Sequence, residues 1–292
     1  MPRYYILFIF LSVIISGTES LFPQTSDADF TVADAYFSRK DYESAAAEYE
    51  RVFYNSDSRE ISHKALQQKA LCRKLSGKYK EAAMTLERMP EDYADYYQIA
   101  LCYYLSNDFA KSGYTITKCE LYYDTLKEDM LLIKILTLNE LNDYVNSKIA
   151  AEQLAQLLKN KTDVDISPFI DSLYSDLPKF KNEKTAKFLA FIPGFAQIYA
   201  GETAKGLAAF TLNAASIGFG IWQFIDRCYL TAYLGGAGML SVVYPGAVKN
   251  GMYEIREYNR KKASQFNMKF RQKLIPTVQY HIQTNKSGTF SL

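Results

Sequence analysis

The chain has only two histidines, His63 and His281, and four cysteines, Cys72, Cys102, Cys119 and Cys228. A histidine working as a general base needs a nucleophile and an orienting group beside it. The sequence supplies no such neighbour. No Gly-x-Ser-x-Gly, His-Glu-x-x-His or phosphate-binding glycine loop is present. No Cys-x-x-Cys pair occurs either, so a zinc or thioredoxin-like centre lacks its donors. The acid pairs Glu91-Asp92 and Glu128-Asp129 read as solvated turns, and His63 as an exposed or capping residue. The chemistry-bearing residues therefore point to a protein that is not an enzyme and needs no cofactor or metal.

What the residues do specify is position. Two apolar stretches, 206–225 and 228–248, are separated only by Asp226 and Arg227. Each approaches the roughly 20 residues that a helix needs to cross a bilayer core. The pattern predicts a transmembrane helical hairpin, with Asp226 and Arg227 pairing locally in its turn. Small residues four apart, Ala214 and Gly218, Ser216 and Gly220, Ala232 and Gly236, would let its two arms approach closely. Asn213 and Gln223 could hydrogen-bond across it. Segment 188–200 is too short to span and is bent by Pro193-Gly194, which suits an interfacial or re-entrant element.

Charge is uneven although the net charge is only +2. Between 249 and 273 lie eight cations and two acids, a composition suited to anionic lipid head groups. No aromatic-basic recognition motif accompanies it, so nucleic acid is not an expected ligand. At the N-terminus Arg3, the apolar run Tyr4–Ile15 and the small residues to Ser20 have the form of a signal peptide over 1–20. Export would place the following domain outside the cytoplasm, in the periplasm if this is a bacterial inner-membrane protein. The lysines before 188 and the cluster after 249 favour the cytosolic side instead by the positive-inside rule. The alternative is a cytosolic repeat domain.

Four phrases recur ahead of that hairpin: Arg39-Lys40-Asp41-Tyr42, Ser76-Gly77-Lys78-Tyr79, Ser106-Asn107-Asp108-Phe109 and Leu141-Asn142-Asp143-Tyr144. Their aromatic residues stand 37, 30 and 35 positions apart. Three residues after each comes Ala45, Ala82, Ser112 or Ser147, and nine before each comes Ala33, Ala70, Ala100 or Ile135. Small residues let two helices approach, the aromatic begins the second, and the polar residues before it turn the chain. Leu66, Ile99 and Leu131 would face the next helix. Cys72 and Cys102 hold the same repeat position, so packing rather than disulfide formation explains them.

This pattern resembles the tetratricopeptide repeat over residues 28–160, about four units. Asp29, where the family often has a large aromatic, and Ile135, where it has a small residue, depart from it. The resemblance implies an all-α helical-repeat solenoid, whose units must stack because none buries its own apolar face. Tyr36, Arg73, Tyr103 and Tyr104 are the candidate lining of a partner-binding groove, with ordinary inter-helix packing the competing reading of the tyrosines.

Residues 161–186 read as a linker and capping helix, with Ser167 as N-cap and Pro168 in the first helical position. Beyond it, Pro193, Gly194, Gln197, Tyr199, Gly201, Gly206, Trp222 and Asp226 resemble the small bacterial two-transmembrane-helix domain over residues 187–226. Gln197 replaces a basic residue or histidine often found there, and that family implies no single activity. The membrane domain as a whole would occupy 187–250. The remaining 251–292 reads as a basic juxtamembrane helix and tail, with Thr277–Thr284 alternating as one strand. Together these features suggest a membrane-anchored scaffold that binds a protein partner in the cell envelope, with a second copy of the chain also admissible. The alternative makes the membrane domain the active part, in transport or membrane-protein assembly, with the repeats regulating it.

Overall fold

The structure is a computed structural model that describes residues 30–288 apart from 163. The expected signal segment 1–20 lies outside the described residues. All secondary structure within them is helical, so the all-α expectation holds. Contacts divide the chain into two compact units, residues 1–108 and 109–292.

The first unit contains α1 (Thr31–Ser38), α2 (Tyr42–Asn55), α3 (Arg59–Leu75), α4 (Tyr79–Leu86) and α5 (Tyr93–Leu105), each packed on its neighbour in sequence. The recurring phrases are the stop-and-start signals of these helices. Lys40, Gly77 and Asn107 each take a left-handed backbone, with φ of 62°, 73° and 61°. In every case the N–H of that residue donates three residues back and the next N–H donates five back. Examples are Lys40 to the Phe37 carbonyl and Asp41 to that of Tyr36. This satisfies the last carbonyls of the ending helix. Asp41 then accepts from the Ser44 N–H and starts α2. One four-residue phrase thus ends one helix and begins the next.

The expected small residues lie at the contacts. Ala33, Ala45, Ala70, Ala82 and Ala100 are all essentially buried, with Leu66 and Ile99 beside them in the core. Phe30 packs on Tyr49, ring centroids 6.1 Å apart. Cys72 and Cys102 are buried free thiols. Burial pushes them up to about 12 and about 11, which leaves them as inert packing groups.

His63 differs from its expected role: it lies inside α3 and is largely buried. Its Nε2 is 2.7 Å from Asp95 Oδ2. Asp95, only 2% exposed, also accepts from the Gln67 amide at 3.0 Å and the Glu91 N–H at 2.9 Å. It closes a capping box with Asp92 at the start of α5. Burial by itself would raise this carboxyl. The Glu91 N–H, Gln67 and His63 outweigh it, and the group is held below the usual carboxylate range.

The second unit contains α6 (Phe109–Tyr122), α7 (Glu128–Glu140), α8 (Tyr144–Thr162) and α9 (Ser167–Tyr174), then α10 (Glu183–Leu189), α11 (Phe195–Ala200) and α12 (Thr203–Ile225). A turn leads to the three-residue α13 (Tyr229–Thr231), a π-helix π1 (Ala232–Gly238) and the long α14 (Met239–Gly288). α7 and α8 meet around Ile135 and Ser147, and the turn between them again uses a left-handed residue, Asn142. The Ser147 hydroxyl donates to the Ile135 carbonyl at 3.0 Å and also meets the Tyr174 hydroxyl at 2.7 Å, which fixes α9 on α8. Ile166 rather than Ser167 holds the cap position of α9, while Pro168 falls in its first turn.

Two expectations for the C-terminal part are corrected. Thr277–Thr284 is helix, because Phe270, Leu274, Ile275 and Val278 are buried at helical spacing. An alternating pattern cannot form a strand once that face is packed. Stretch 228–248 is helical but divided among α13, π1 and the first turns of α14, and it runs without a break into polar sequence. Among the described residues α12 is therefore the one helix long and apolar enough to cross a membrane.

Two stability tests follow. Asn107→Gly relieves a left-handed non-glycine residue and should raise the thermal midpoint, whereas Gly77→Ala, whose new methyl meets open space, should lower it. Each effect should be about 1 kcal/mol, since only backbone conformation changes. Asp95→Asn should cost about 1–2 kcal/mol at neutral pH. Because the folded-state value of Asp95 is lowered, its contribution is complete above the unfolded carboxylate range and lost as pH falls through the folded value. Acid unfolding curves of the two proteins should therefore converge at low pH.

Candidate functional site

Six of the eight motif residues of the 187–250 region, Pro193 to Gly206, lie at or beside a close junction of three helices. Gly194, with φ of +91°, begins α11 against α12; a Cβ on it would lie 2.1 Å from the Gly206 carbonyl oxygen. The reverse holds for Gly206, where a Cβ would meet Ile198 at 2.5 Å and the Gly194 oxygen at 2.6 Å. On the other side, Gly251 of α14 leaves room for Ala196 and Gln197, with a Cβ only 2.7 Å from Ala196. Gln197 is fully buried there, and its Nε2 donates to the Ala247 carbonyl at 2.8 Å. Its Oε1 has no hydrogen-bond partner. Gly201, φ +99°, ends α11 in open space. Lys205 bridges from α12 to the buried Glu254 of α14 at 2.9 Å.

Tyr199 holds the linker to this junction. Its hydroxyl accepts from the Asn182 N–H at 3.3 Å, and Lys181 Nζ lies 4.7 Å from its ring centroid. Asn259 of α14 clamps the same linker, accepting from the Lys181 N–H at 2.8 Å and donating to its carbonyl at 2.9 Å. Pro193 lies in the bend between α10 and α11. Segment 188–200 is thus two short helices seated on α14, with Phe188, Phe191, Ile192, Phe195 and Ile198 left exposed.

Trp222 and Asp226 are not part of that junction. They sit near the far end of α12, about 20 residues and so roughly 30 Å along it from Gly206. Trp222 is exposed and packs edge-on against Phe219. The turn beyond is closed by left-handed Arg227, whose N–H donates to the Phe224 carbonyl. The expected Asp226–Arg227 ion pair is not formed. Backbone hydrogen bonds, not charge, make this turn.

The helices α12 and π1 meet at Gly220 and Gly236, where a Cβ on Gly236 would lie 2.4 Å from the Gly220 Cα. Ser216–Gly220 and Ala232–Gly236 are thus contact positions, whereas Gly218 faces open space. Asn213 does not reach across. Its Nδ2 donates to the Ala209 carbonyl of its own helix at 2.8 Å, and its buried Oδ1 has no partner. Gln223 likewise makes no cross-hairpin hydrogen bond among the described residues.

No family model, curated protein or solved structure matches this chain. The site must be read from its own geometry.

The basic part of α14 turns out to be an internal seat. Phe266 meets Tyr144 edge-on at 5.2 Å, Phe270 meets Tyr174 at 5.0 Å, and Asn267 Nδ2 donates to the Asn139 carbonyl at 3.0 Å. Arg271 pairs with Glu140 at 3.4 Å, while Arg260 and Lys261 are drawn to Glu257. Residues 266–271 therefore pack on the ends of α7, α8 and α9. Burial, then the charge of Glu140, pushes the Tyr144 phenol up to about 12.

The four candidate groove residues of the first unit do not form an open surface. Tyr103 and Tyr104 are 0% and 7% exposed, and Tyr103 donates to Glu87 at 2.6 Å. Packing is their role. Tyr36 is half-buried against the first core cluster, and Arg73 is engaged by Glu43 and Glu81. Tyr114 and Tyr122, two of the tyrosines open to either a groove or a packing reading, lie with Leu121 on α6 of the second unit at i, i+7, i+8 spacing and are exposed by 70%, 65% and, for Leu121, 81%. Among the described residues no group of acids, histidines and cysteines could hold a metal ion.

The junctions are testable by size. Gly206→Leu and Gly236→Leu each force a side chain into backbone and should collapse detergent-solubilised monodispersity in size-exclusion chromatography. Gly218→Leu should leave the elution profile unchanged.

Proposed function

We propose that the protein is a membrane-anchored scaffold in which a tetratricopeptide-like helical domain presents a partner-binding surface and the 187–250 region holds it in a bilayer. The observation that carries this reading is the exposure of α12. A core helix of a soluble protein can be as apolar, but only 11% of the apolar window of α12 is buried. Its exposed residues include Leu207, Phe210, Leu212, Ile217, Ile221 and Phe224, and Tyr229, Leu230, Tyr233 and Leu234 continue the surface. Left in water, a surface of that extent would promote aggregation. A bilayer is the solvent that removes the penalty.

Scaffolding is the favoured role because the helical domain presents exposed aromatic and aliphatic side chains, Tyr114 and Leu121 foremost. Helix–turn–helix repeats commonly use such surfaces for protein partners. The cell envelope of a bacterium, with the repeats on the periplasmic side, is the compartment proposed; the cytosolic arrangement is the alternative.

A second reading has one observation in its favour. Gln197 and Asn213 each bury an unpaired carbonyl oxygen in the membrane domain, and α12 faces a π-helix. Polar groups at membrane depth and π-helical distortions both concentrate at functional sites. Under this reading the hairpin acts on membrane proteins or solutes and the repeats regulate it.

Reporter fusions after Asn182, after Arg227 and at Leu292 test the arrangement. If α12 spans, reporters at 182 and 227 should fall on opposite sides. The same side for both would remove the anchor reading. Replacing 187–250 by a foreign anchor should preserve function if the region only tethers, and abolish it if the hairpin is the active part.

A further inference from the structure

A groove of about 480 Å³ opens beside α14, lined among others by Glu140, Phe180, Glu183, Arg256, Arg260 and Asn267. Its charges are balanced, but not equally committed. Glu140 is engaged by Arg271 and by Asn267, and Arg260 is held bidentately by Glu257. Glu183 and Arg256 have no ion-pair partner among the described residues. Asn267 is 3% exposed, and its Oδ1 accepts no hydrogen bond. The groove therefore offers one uncommitted cation and one uncommitted anion, Arg256 and Glu183.

Its height along the fold matters as much as its charge. Arg256 lies five residues beyond Gly251, where α14 crosses α11, so it stands about 8 Å further along the helix. On the opposite wall Phe180 and Glu183 lead into α10, whose end carries Phe188 and Phe191, exposed by 75% and 72%. The groove lies where the apolar surface gives way to charged surface, the level that phospholipid head groups occupy when the apolar part is in a bilayer.

We propose that this groove binds the head group of a zwitterionic phospholipid bearing a primary ammonium, of the phosphoethanolamine type, and so makes the protein selective for the lipid in which it sits. Arg256 takes the phosphate as a charge-assisted hydrogen-bond donor. Glu183 accepts from the ammonium. A choline head group has no N–H to give it, and a glycerol head group has no cation for Glu183. The acyl chains continue along exposed Phe188 and Phe191. The proposal rests on the membrane reading above.

Native mass spectrometry of the full chain, delipidated in detergent and offered phosphatidylethanolamine, phosphatidylcholine and phosphatidylglycerol in turn, tests it. One phosphatidylethanolamine should be retained about tenfold better than either other lipid, and Arg256→Gln or Glu183→Gln should remove that preference. Lys249→Gln, outside the groove, should not. Equal retention of the three lipids, or a preference untouched by both groove variants, overturns the proposal. So does better retention of phosphatidylglycerol, which would indicate general attraction to basic residues. Binding of soluble phosphoethanolamine without retention of the lipid would assign the groove to a free small molecule and also overturns it. Carbonate-resistant flotation of the same proteins with phosphatidylethanolamine–phosphatidylglycerol vesicles separates the two readings. Loss of flotation by the wild type refutes the anchor itself, whereas flotation without lipid preference refutes only the head-group site.

Discussion

The packing of α14 is the constraint on which the second unit depends. Its first turns are admitted to the hairpin region only because Gly251 leaves space for Ala196 and Gln197. Its later turns bury Phe270, Leu274 and Val278, with Phe270 edge-on against Tyr174 of α9. A helix with both ends committed cannot rotate to improve one contact without damaging the other, because side-chain direction follows its period. Asn259 adds a third fixed point by clamping the Lys181 backbone. The apolar α12 and π1 and the pair α7 and α8 are thereby joined through one continuous element rather than a loose linker.

That arrangement separates two kinds of polar group. The Lys205–Glu254 pair spans α12 and α14 where the apolar surface begins, with Glu254 mostly buried beside the junction. Single amides, by contrast, are buried deeper and incompletely satisfied: Gln197, Asn213, and the Asn139–Asn267 contact. Unpaired buried acceptors are costly, on the order of 1–3 kcal/mol each. Their presence in a fold whose other contacts are close marks these places as ones where stability alone did not choose the residue.

How much was legible in the sequence varied with the range of the interactions involved. The helix ends were legible because one phrase holds both a left-handed residue and an N-cap, as in Lys40-Asp41 and Asn142-Asp143. These are local events decided within six residues. The buried alanines were legible for the same reason, since period and spacing define a face. The tyrosines were not. Tyr103 and Tyr114 have the same side chain, yet one is sealed in a core and the other faces outward, and only the neighbouring helices decide which. His63 failed similarly, because its partners Glu91 and Asp95 lie about 30 residues away. In 277–284 the alternation Thr-Val-Gln-Tyr was compatible with either period until the burial of Phe270, Leu274 and Val278 fixed the helical one. The glycine positions of the membrane domain were found in sequence, but which of them touch was not: Gly220 and Gly236 do, and Gly218 does not. The groove beside Arg256 has no sequence signature, because its walls come from residues 140–183 and 256–267.

The central claim is that α14 makes α12 and π1 one rigid body with α7 and α8. Double electron–electron resonance between spin labels at exposed Val145 of α8 and exposed Tyr233 of π1, in the full chain reconstituted into bilayers, measures this directly. A single narrow distance distribution, the same in detergent and in bilayer, is the expected result. A broad or two-peaked distribution in a chain that remains inserted would show that the two parts move independently, and would contradict the account.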